Sequence, residues 1–445
     1  MDKAKGLSPQ TDGAERLNPP SAVLEIAQTL IQAGHESWFV GGAVRDALLG
    51  HANQDWDIAT SATPPLVQRL FRRTVPVGID FGTVGVLDSA GVMHEVTTFR
   101  RDVQTDGRHA VVEFGASLDE DLARRDFTIN AIAYGPESRE LHDPFDGRGD
   151  LGTRLVRAVG VAGDRMREDR LRALRALRFA SRFGFAIETE TWAAILESAP
   201  HLGRLSMERV QQEIEKTMTQ VEKPGDAFRL WRDSGAFAAL APALASLSDV
   251  ALATLDRLPR ATSADESMQT ANRLTALMLD LDPAVVRDTL RELRFSNERV
   301  RWIGDLVERW HALEPSVRAA LGDPGWSDAT VRRWVSVIGR TRVDALFTVL
   351  TARFEAEGGP ESSGTLERVM AVWARASQVA LRDPIETGDL AVDGGDLMKA
   401  GIRAGPQLGA ALRTLLVWVL DDPARNTHDQ LLARARELAG EQPHA

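Results

Sequence analysis

The chain has 445 residues, 43% hydrophobic and 26% charged, with no cysteine and a formal net charge of −11. That length carries two to four domains with ample core, while the missing thiols exclude disulfides, thiolate catalysis and the usual zinc sites. No 18-residue apolar stretch is present to span a membrane, and the acidic total fits non-specific coating of polyanions poorly, with no DNA partner expected.

In chain order, residues 1–20 hold Pro, Gly and charges without an apolar h-region. They read as a disordered leader and not a signal peptide, so a cytoplasmic location is the default. Ser21 is placed to cap a helix whose apolar face is Val23, Leu24, Ala27, Leu30 and Ile31, ending at Gly34. A strand over Trp38–Val40 runs into Gly41-Gly42, and Ala43–Leu49 reads as a helix closed by Gly50. Strand patterns recur at Trp56–Ala59, Gly82–Leu87 and His94–Arg100, the last two joined by "DSAG". From about residue 165 helical periods dominate, broken at Lys223-Pro224-Gly225, Asp323-Pro324-Gly325, Glu357-Gly358-Gly359-Pro360 and Ala404-Gly405-Pro406. The expected fold class is therefore α+β: a small mixed β-sheet head followed by an elongated all-α remainder.

The head carries chemistry. Asp55 and Asp57 straddle Trp56, so on a strand the two carboxylates share one face while the indole turns to the other. Paired carboxylates suit Mg²⁺, which keeps waters and substrate phosphates in its shell, and such a pair can seat two metals; a solvated strand end with two acids is the plainer alternative. Gly41 and Gly42, between a strand and a helix, let backbone N–H groups approach a phosphate. Arg45, one turn on, can fork onto phosphate oxygens, with Asp46 beside it to orient it or hold local structure.

The residues "FVGGAVRDALLG…DWDIAT" resemble the signature of the class II nucleotidyltransferases, the tRNA CCA-adding enzymes and their bacterial poly(A) polymerase relatives. The resemblance continues through "HEVTTFRRD", "DGRH", "SLDEDLARRDFTINAIAYG", "LHDPFDGRGDL" and "REDRLRALRALRFASRFGF", covering roughly residues 36–220, and returns in "LAVDGGDLMKAGIRAGPQLGAAL". It implies a nucleotidyltransferase head over 21–152, a base-reading helical neck over 153–222, a helical body over 223–330 and a tRNA-binding tail over 331–445. It implies that Glu95 joins Asp55 and Asp57 as a third catalytic acid, although a plain strand-face acid stays open there. It implies that Arg125 and Asp126 hold the nucleotide and its ribose, with Asn130 stabilising the motif. Asp126 is also placed to cap a helix at "FTINAIA", and both roles are compatible. Asp106 and Arg108 fall in the segment that the resemblance makes a flexible loop.

Residues 154–182 hold nine arginines against Asp164, Glu168 and Asp169, a local balance of +6. On a helix Glu168 and Arg172 are i,i+4, and Asp169 and Arg172 are i,i+3, so the acids can hold the arginine while free edges meet a ligand. An Asp–Arg pair accepts an amino hydrogen and donates to a ring nitrogen, which matches cytosine and adenine. Uracil and guanine present the reverse and leave both groups unpaired. Arg175 and Arg178 continue along the helix toward a nucleotide or tRNA acceptor end, or decorate a salt-bridged surface helix. The expected activity is template-independent addition of C, C and A to a tRNA 3′ end from CTP and ATP with Mg²⁺. The alternatives are a CC-only, A-only or poly(A)-adding relative, or a non-catalytic tRNA-binding module. Between residues 220 and 420 the one histidine is His311, with no His-Asp pair, so no phosphohydrolase region is expected.

Overall fold

The computed structural model describes residues 17–51, 55–105, 110–259, 266–322, 325–358 and 363–440. Two compact units divide the chain, residues 1–221 with 229–245, and residues 222–228 with 246–445. Most of the expected leader, and Asp106 and Arg108, lie outside the described residues.

The first unit is built on one sheet. Its strands are β1 (Ser37–Val40), β2 (Asp57–Thr60), β3 (Thr74–Gly78), β4 (Thr83–Leu87), β5 (Met93–Thr98), β8 (Ala133–Tyr134) and β9 (Leu141–His142). A separate antiparallel ribbon pairs β6 (Arg100–Thr105) with β7 (Ala110–Phe114). The sheet order is β3-β4-β5-β2-β1-β8-β9, with β2 and β5 parallel and every other pair antiparallel. This mixed sheet matches the α+β expectation. Phe39, Ile58, Val96 and Val84, paired across the sheet on one face, are fully buried, and on the other face of β1 and β2 Val40 and Ala59 are buried. Trp56 is also buried, edge-on to Phe39 at 5.4 Å between ring centroids, which fixes the chain direction just before β2.

Helix α1 (Ser21–Gln32) turns Val23, Ile26, Ala27 and Leu30 inward, as its period requires. Ser21 is its first turn and not its cap: Pro20 holds the cap position and no side chain bonds the free N–H groups. Helix α2 (Gly42–Leu48) begins one residue before the expected start, because Gly41 (φ 76°) completes the turn out of β1.

The basic stretch departs from the sequence reading. It is not one helix: α3 (Ala162–Glu168) stops, Asp169 is extended (φ −147°), and α4 (Leu171–Phe183) begins afresh. Leu171, Leu174, Leu177 and Ala180 bury the inner face of α4, and Phe127 meets Phe179 edge-on at 5.8 Å, tying this helix to the segment after Asp126. Asp126 likewise caps no α-helix, since only a three-residue 3₁₀ turn, Thr128–Asn130, follows. Helix α5 (Met207–Gln220) packs beside α4.

The second unit is helical among its described residues, with segments that include Asp249–Arg257, Glu266–Met278, Pro283–Glu292, Asn297–Gly322 and Asp328–Ile338. Its C-terminal part has its own apolar cluster, in which Leu390, Leu397, Leu415, Val419 and Leu431 are buried. "VDGGD" is the entry to that cluster: Asp393 and Asp396 form a reciprocal capping box at the helix Gly394–Lys399, and a Cβ on Gly394 would press on Leu408 at 3.1 Å. Among the described residues no helix is long and apolar enough to cross a membrane.

Candidate active site

Asp57 opens β2 and Asp55 stands two residues earlier, exposed. Glu95 lies on β5, the parallel neighbour of β2. Burial, reinforced by the charges of Asp55 and Glu95, pushes the Asp57 carboxyl up to about 7 against the pull of Arg125. Glu95 is raised as well, by burial and then by Asp55. Three carboxylates therefore crowd one place, with Arg125 opposing their mutual effect at Asp57. Among the described residues no group of three acidic or histidine side chains is arranged to hold a metal ion by itself. The donor set fits an open hard-cation site, finished by water and phosphate oxygens.

Gly41 brings the backbone against this cluster: a Cβ there would sit 3.2 Å from Arg125 Nη1 and 3.6 Å from Asp57 Oδ2. Beyond Asp57 opens a cavity of about 450 Å³, within the range of small-ligand sites. Nine cationic side chains line it against three carboxylates, Asp57, Asp126 and Asp169, so it suits a polyanion.

The expected site residues divide by how they are held. Gly42, Arg125, Asp126, Asn130, Asp169, Arg172 and Arg175 all line the cavity. Asp126 Oδ1 accepts from the Phe127 amide and from Asn130 Nδ2, both at 2.9 Å, while Oδ2 meets Arg175 at 2.6 Å. Burial raises the Asp126 carboxyl, but Arg175, Asn130 and Arg172 outweigh it and hold the group at about 2. It is a permanent anion on the cavity wall. Arg125 donates to the buried Asp121 at 3.1 Å.

Arg172 is fixed by three acceptors: Glu168 at 2.6 Å and the carbonyls of Arg124 (2.8 Å) and Arg165 (3.2 Å). The break between the helices gives Asp169 a different partner from the expected one. Its Oδ1 accepts from the Leu171 amide and its Oδ2 from Arg209 on α5 at 2.7 Å. Among the described residues Glu168 thus holds the arginine by side chain, and Asp169 is set by α5.

Two arginines are more deeply engaged than spacing foretold. Arg45 is 3% exposed, bonded to Asp46 and to Asn130 Oδ1, with its guanidinium 5.0 Å over Phe179 and 4.8 Å over Phe183. Asp46 also accepts from Arg182 at 3.2 Å, so the pair ties α2 to α4. Arg178 is equally buried, 2.8 Å from Glu213 and 3.1 Å from Gln220.

Sequence reasoning missed Arg124, Arg209, Lys216 and Gln220, all on the cavity wall. A signal existed for three of them: Arg209, Glu213, Lys216 and Gln220 recur at three- and four-residue steps in "MERVQQEIEKTMTQ", one polar stripe on one helix.

A family profile described as "Poly A polymerase head domain" matches residues 37–157, and one described as "Probable RNA and SrmB- binding site of polymerase A" matches 184–247. The CCA-adding enzyme of Geobacillus kaustophilus is 35% identical over 422 residues, covering 94% of this chain and 97% of that protein. That of Latilactobacillus sakei is 36% identical over 415 residues, covering 93% and 97%. Among solved structures, the Bacillus stearothermophilus CCA-adding enzyme in complex with CTP superposes with a TM-score of 0.73 at 33% identity, covering 95% of this chain and 98% of that one. The Thermotoga maritima CCA-adding enzyme complexed with tRNA_CCA shares the fold at a TM-score of 0.64 and 21% identity, covering 97% and 98%.

Proposed function

The chain belongs to the CCA-adding enzyme family, and from that membership and the arginine-lined cavity beside Asp57 we propose that it is a tRNA nucleotidyltransferase. It adds C, C and A to the tRNA 3′ end from CTP and ATP, without a template. On this reading residues 21–152 are the catalytic head and 153–222 the neck, and the helical body (223–330) and tail (331–445) hold the tRNA in the cytoplasm.

The observation that supports the reading is one cavity lined by Asp57, by a surplus of cations, and by Asp169 and Arg172. A divalent cation, which we assign as Mg²⁺, would be held by Asp55 and Asp57 with Glu95 beside them, and supplies Lewis-acid activation and charge neutralisation when bound. Gly41 and Gly42 leave room for the triphosphate, which Arg125 and Lys216 attract. Asp126, kept ionised by Arg175, accepts from a ribose hydroxyl and so favours ribonucleotides. Asp169 accepts the exocyclic amino hydrogen of cytosine or adenine, and Arg172 donates to the adjacent ring nitrogen. Against uracil or guanine both groups lose their partners, a penalty large enough to select. The RNA 3′-oxygen attacks the α-phosphorus in line, forming the new P–O bond as the bond to pyrophosphate breaks.

The test is incubation of tRNA lacking its 3′ end with labelled CTP, ATP and Mg²⁺. Wild type should extend it by CCA, and Asp55→Ala should not. No extension by wild type, or equal extension by the variant, overturns the reading. Product length separates CCA addition from CC, A or poly(A) addition.

A further inference from the structure

The cavity that receives the nucleotide lies to one side of Asp57. Its walls come from the turn after β1, from residues 124–130 and from α4 and α5; among the described residues none comes from β3, β4 or β5. In the sheet order those three strands lie on the opposite side of β2. The acceptor RNA must present its 3′-oxygen to the α-phosphorus opposite the leaving pyrophosphate. The nucleotide occupies the β1 side, which leaves the β5-β4-β3 side for the acceptor.

The register shows what that side offers. Ile58 pairs with Val96, so Asp57 and Glu95, each one residue earlier, share a face of the sheet. Glu95 pairs with Gly85, and Gly85 with Val75, which carries the same face across to the sheet edge. A Cβ on Gly85 would meet Met93 Sδ at 2.7 Å and Val77 Cγ2 at 2.9 Å, so both side chains lie over the glycine on that face. Val75, Val77 and Met93 are 37%, 43% and 42% exposed. The alternate residues behave differently: Val84, Val86, His94 and Val96 are buried on the reverse side. A bare apolar pad therefore runs directly on from the catalytic carboxylates. Arg72 and Arg73, both exposed, stand immediately before β3.

We propose that this pad, Val75, Val77 and Met93, seats the 3′-terminal nucleotides of the RNA being extended. The inference rests on the nucleotidyltransferase reading and adds the acceptor subsite to it. Its chemistry suits the reaction: the terminal base changes at each addition, and aliphatic and thioether surfaces offer no hydrogen-bond code to favour one base over another. Continuity with Glu95 makes an RNA end the occupant in preference to a second protein chain.

Two experiments test it. Val77→Glu and Met93→Glu place a carboxylate where RNA phosphates and bases must pass. Each should raise KM for tRNA at least tenfold while leaving KM for CTP and ATP within twofold. Met93→Cys introduces the sole thiol of the chain, and its rate of maleimide labelling should fall at least fivefold on adding tRNA that lacks CCA, with no change on adding CTP alone. An unchanged KM for tRNA together with unprotected labelling overturns the acceptor subsite. Labelling that slows with protein concentration in the absence of RNA also overturns it, in favour of self-association. In either case wild-type CCA addition persists, which separates this failure from failure of the proposed activity.

Discussion

Arg209 on α5 and Asp169 in the break between α3 and α4, forty residues apart in sequence, meet at 2.7 Å. The contact explains how a carboxylate in an extended break between two helices keeps one orientation. Asp169 has one oxygen on the Leu171 amide and the other on Arg209. Its rigidity is therefore supplied by a neighbouring helix and not by the turn it sits in.

Arg209→Gln removes that anchor without touching the nucleotide-facing role of Arg172. The pair is partly exposed, so stability should change by no more than about 1 kcal/mol. Fidelity should change more: kcat/KM for CTP and ATP should fall about tenfold, and discrimination against UTP and GTP should narrow by a similar factor, because a mobile carboxylate no longer penalises the wrong donor pattern. Single-nucleotide kinetics with all four triphosphates measure it, and unaltered discrimination would remove Arg209 from the specificity apparatus.

The carboxyl of Asp57 gives a pH signature. Its folded value of about 7 lies above the unfolded value of roughly 3.9, so its contribution to stability is full below pH 4 and is lost as pH rises through 7. Asp57→Asn should leave Tm of the metal-free protein nearly unchanged at pH 4, raise it at pH 8, and abolish nucleotide addition. In wild type, added Mg²⁺ should raise Tm more at pH 8 than at pH 5, and this gain should shrink in the variant.

Local order explains what could be read ahead of the structure. The strand, double glycine and D-x-D of residues 38–57 are consecutive, so alternation and turn chemistry sufficed to place β1, α2 and β2 in order. The Asp126–Arg175 pair depends on two segments forty-nine residues apart meeting at 2.7 Å, and no periodicity encodes that. Arg45 shows the same limit. Its spacing after Gly42 predicts a phosphate ligand, and it does line the cavity; that Phe179 and Phe183 pack beneath its guanidinium could not be read, because they come from a helix more than 120 residues later. The break at Asp169 was hidden because "REDRLRALRALRF" has helix-compatible residues throughout, with neither Gly nor Pro to mark the stop.

The Asp126–Arg175 pair should show the opposite pH sense to Asp57. Asp126 is held at about 2, below its unfolded value, so its contribution is present above pH 4 and fades as pH falls toward 2. Arg175→Leu leaves a buried carboxylate without its partner and should cost about 3–5 kcal/mol at pH 7. The deficit should narrow on acidification, because the unpartnered carboxyl of the variant takes up a proton there while the wild type begins to lose its own interaction. Chemical denaturation at pH 7 and pH 3 compares them; a deficit equal at both values would assign the loss to packing of the arginine stem.

Arg45 separates a structural cation from a phosphate ligand. Its guanidinium carries a fork on Asp46, a bond to Asn130 and stacking on two phenylalanines, and burial lowers its pKa against the support of Asp46. Lysine keeps the charge but cannot fork or stack in the same way. Arg45→Lys should therefore lower stability by about 2–4 kcal/mol, since Asn130 Oδ1 and the Asp46 oxygen facing Arg45 lose the guanidinium donors while Arg182 stays on Asp46. At a temperature where the variant is fully folded, KM for CTP should rise less than threefold. A direct phosphate ligand gives the reverse pattern, with little loss of stability and a large rise in KM, so paired denaturation and steady-state measurements on this one variant decide which role Arg45 has.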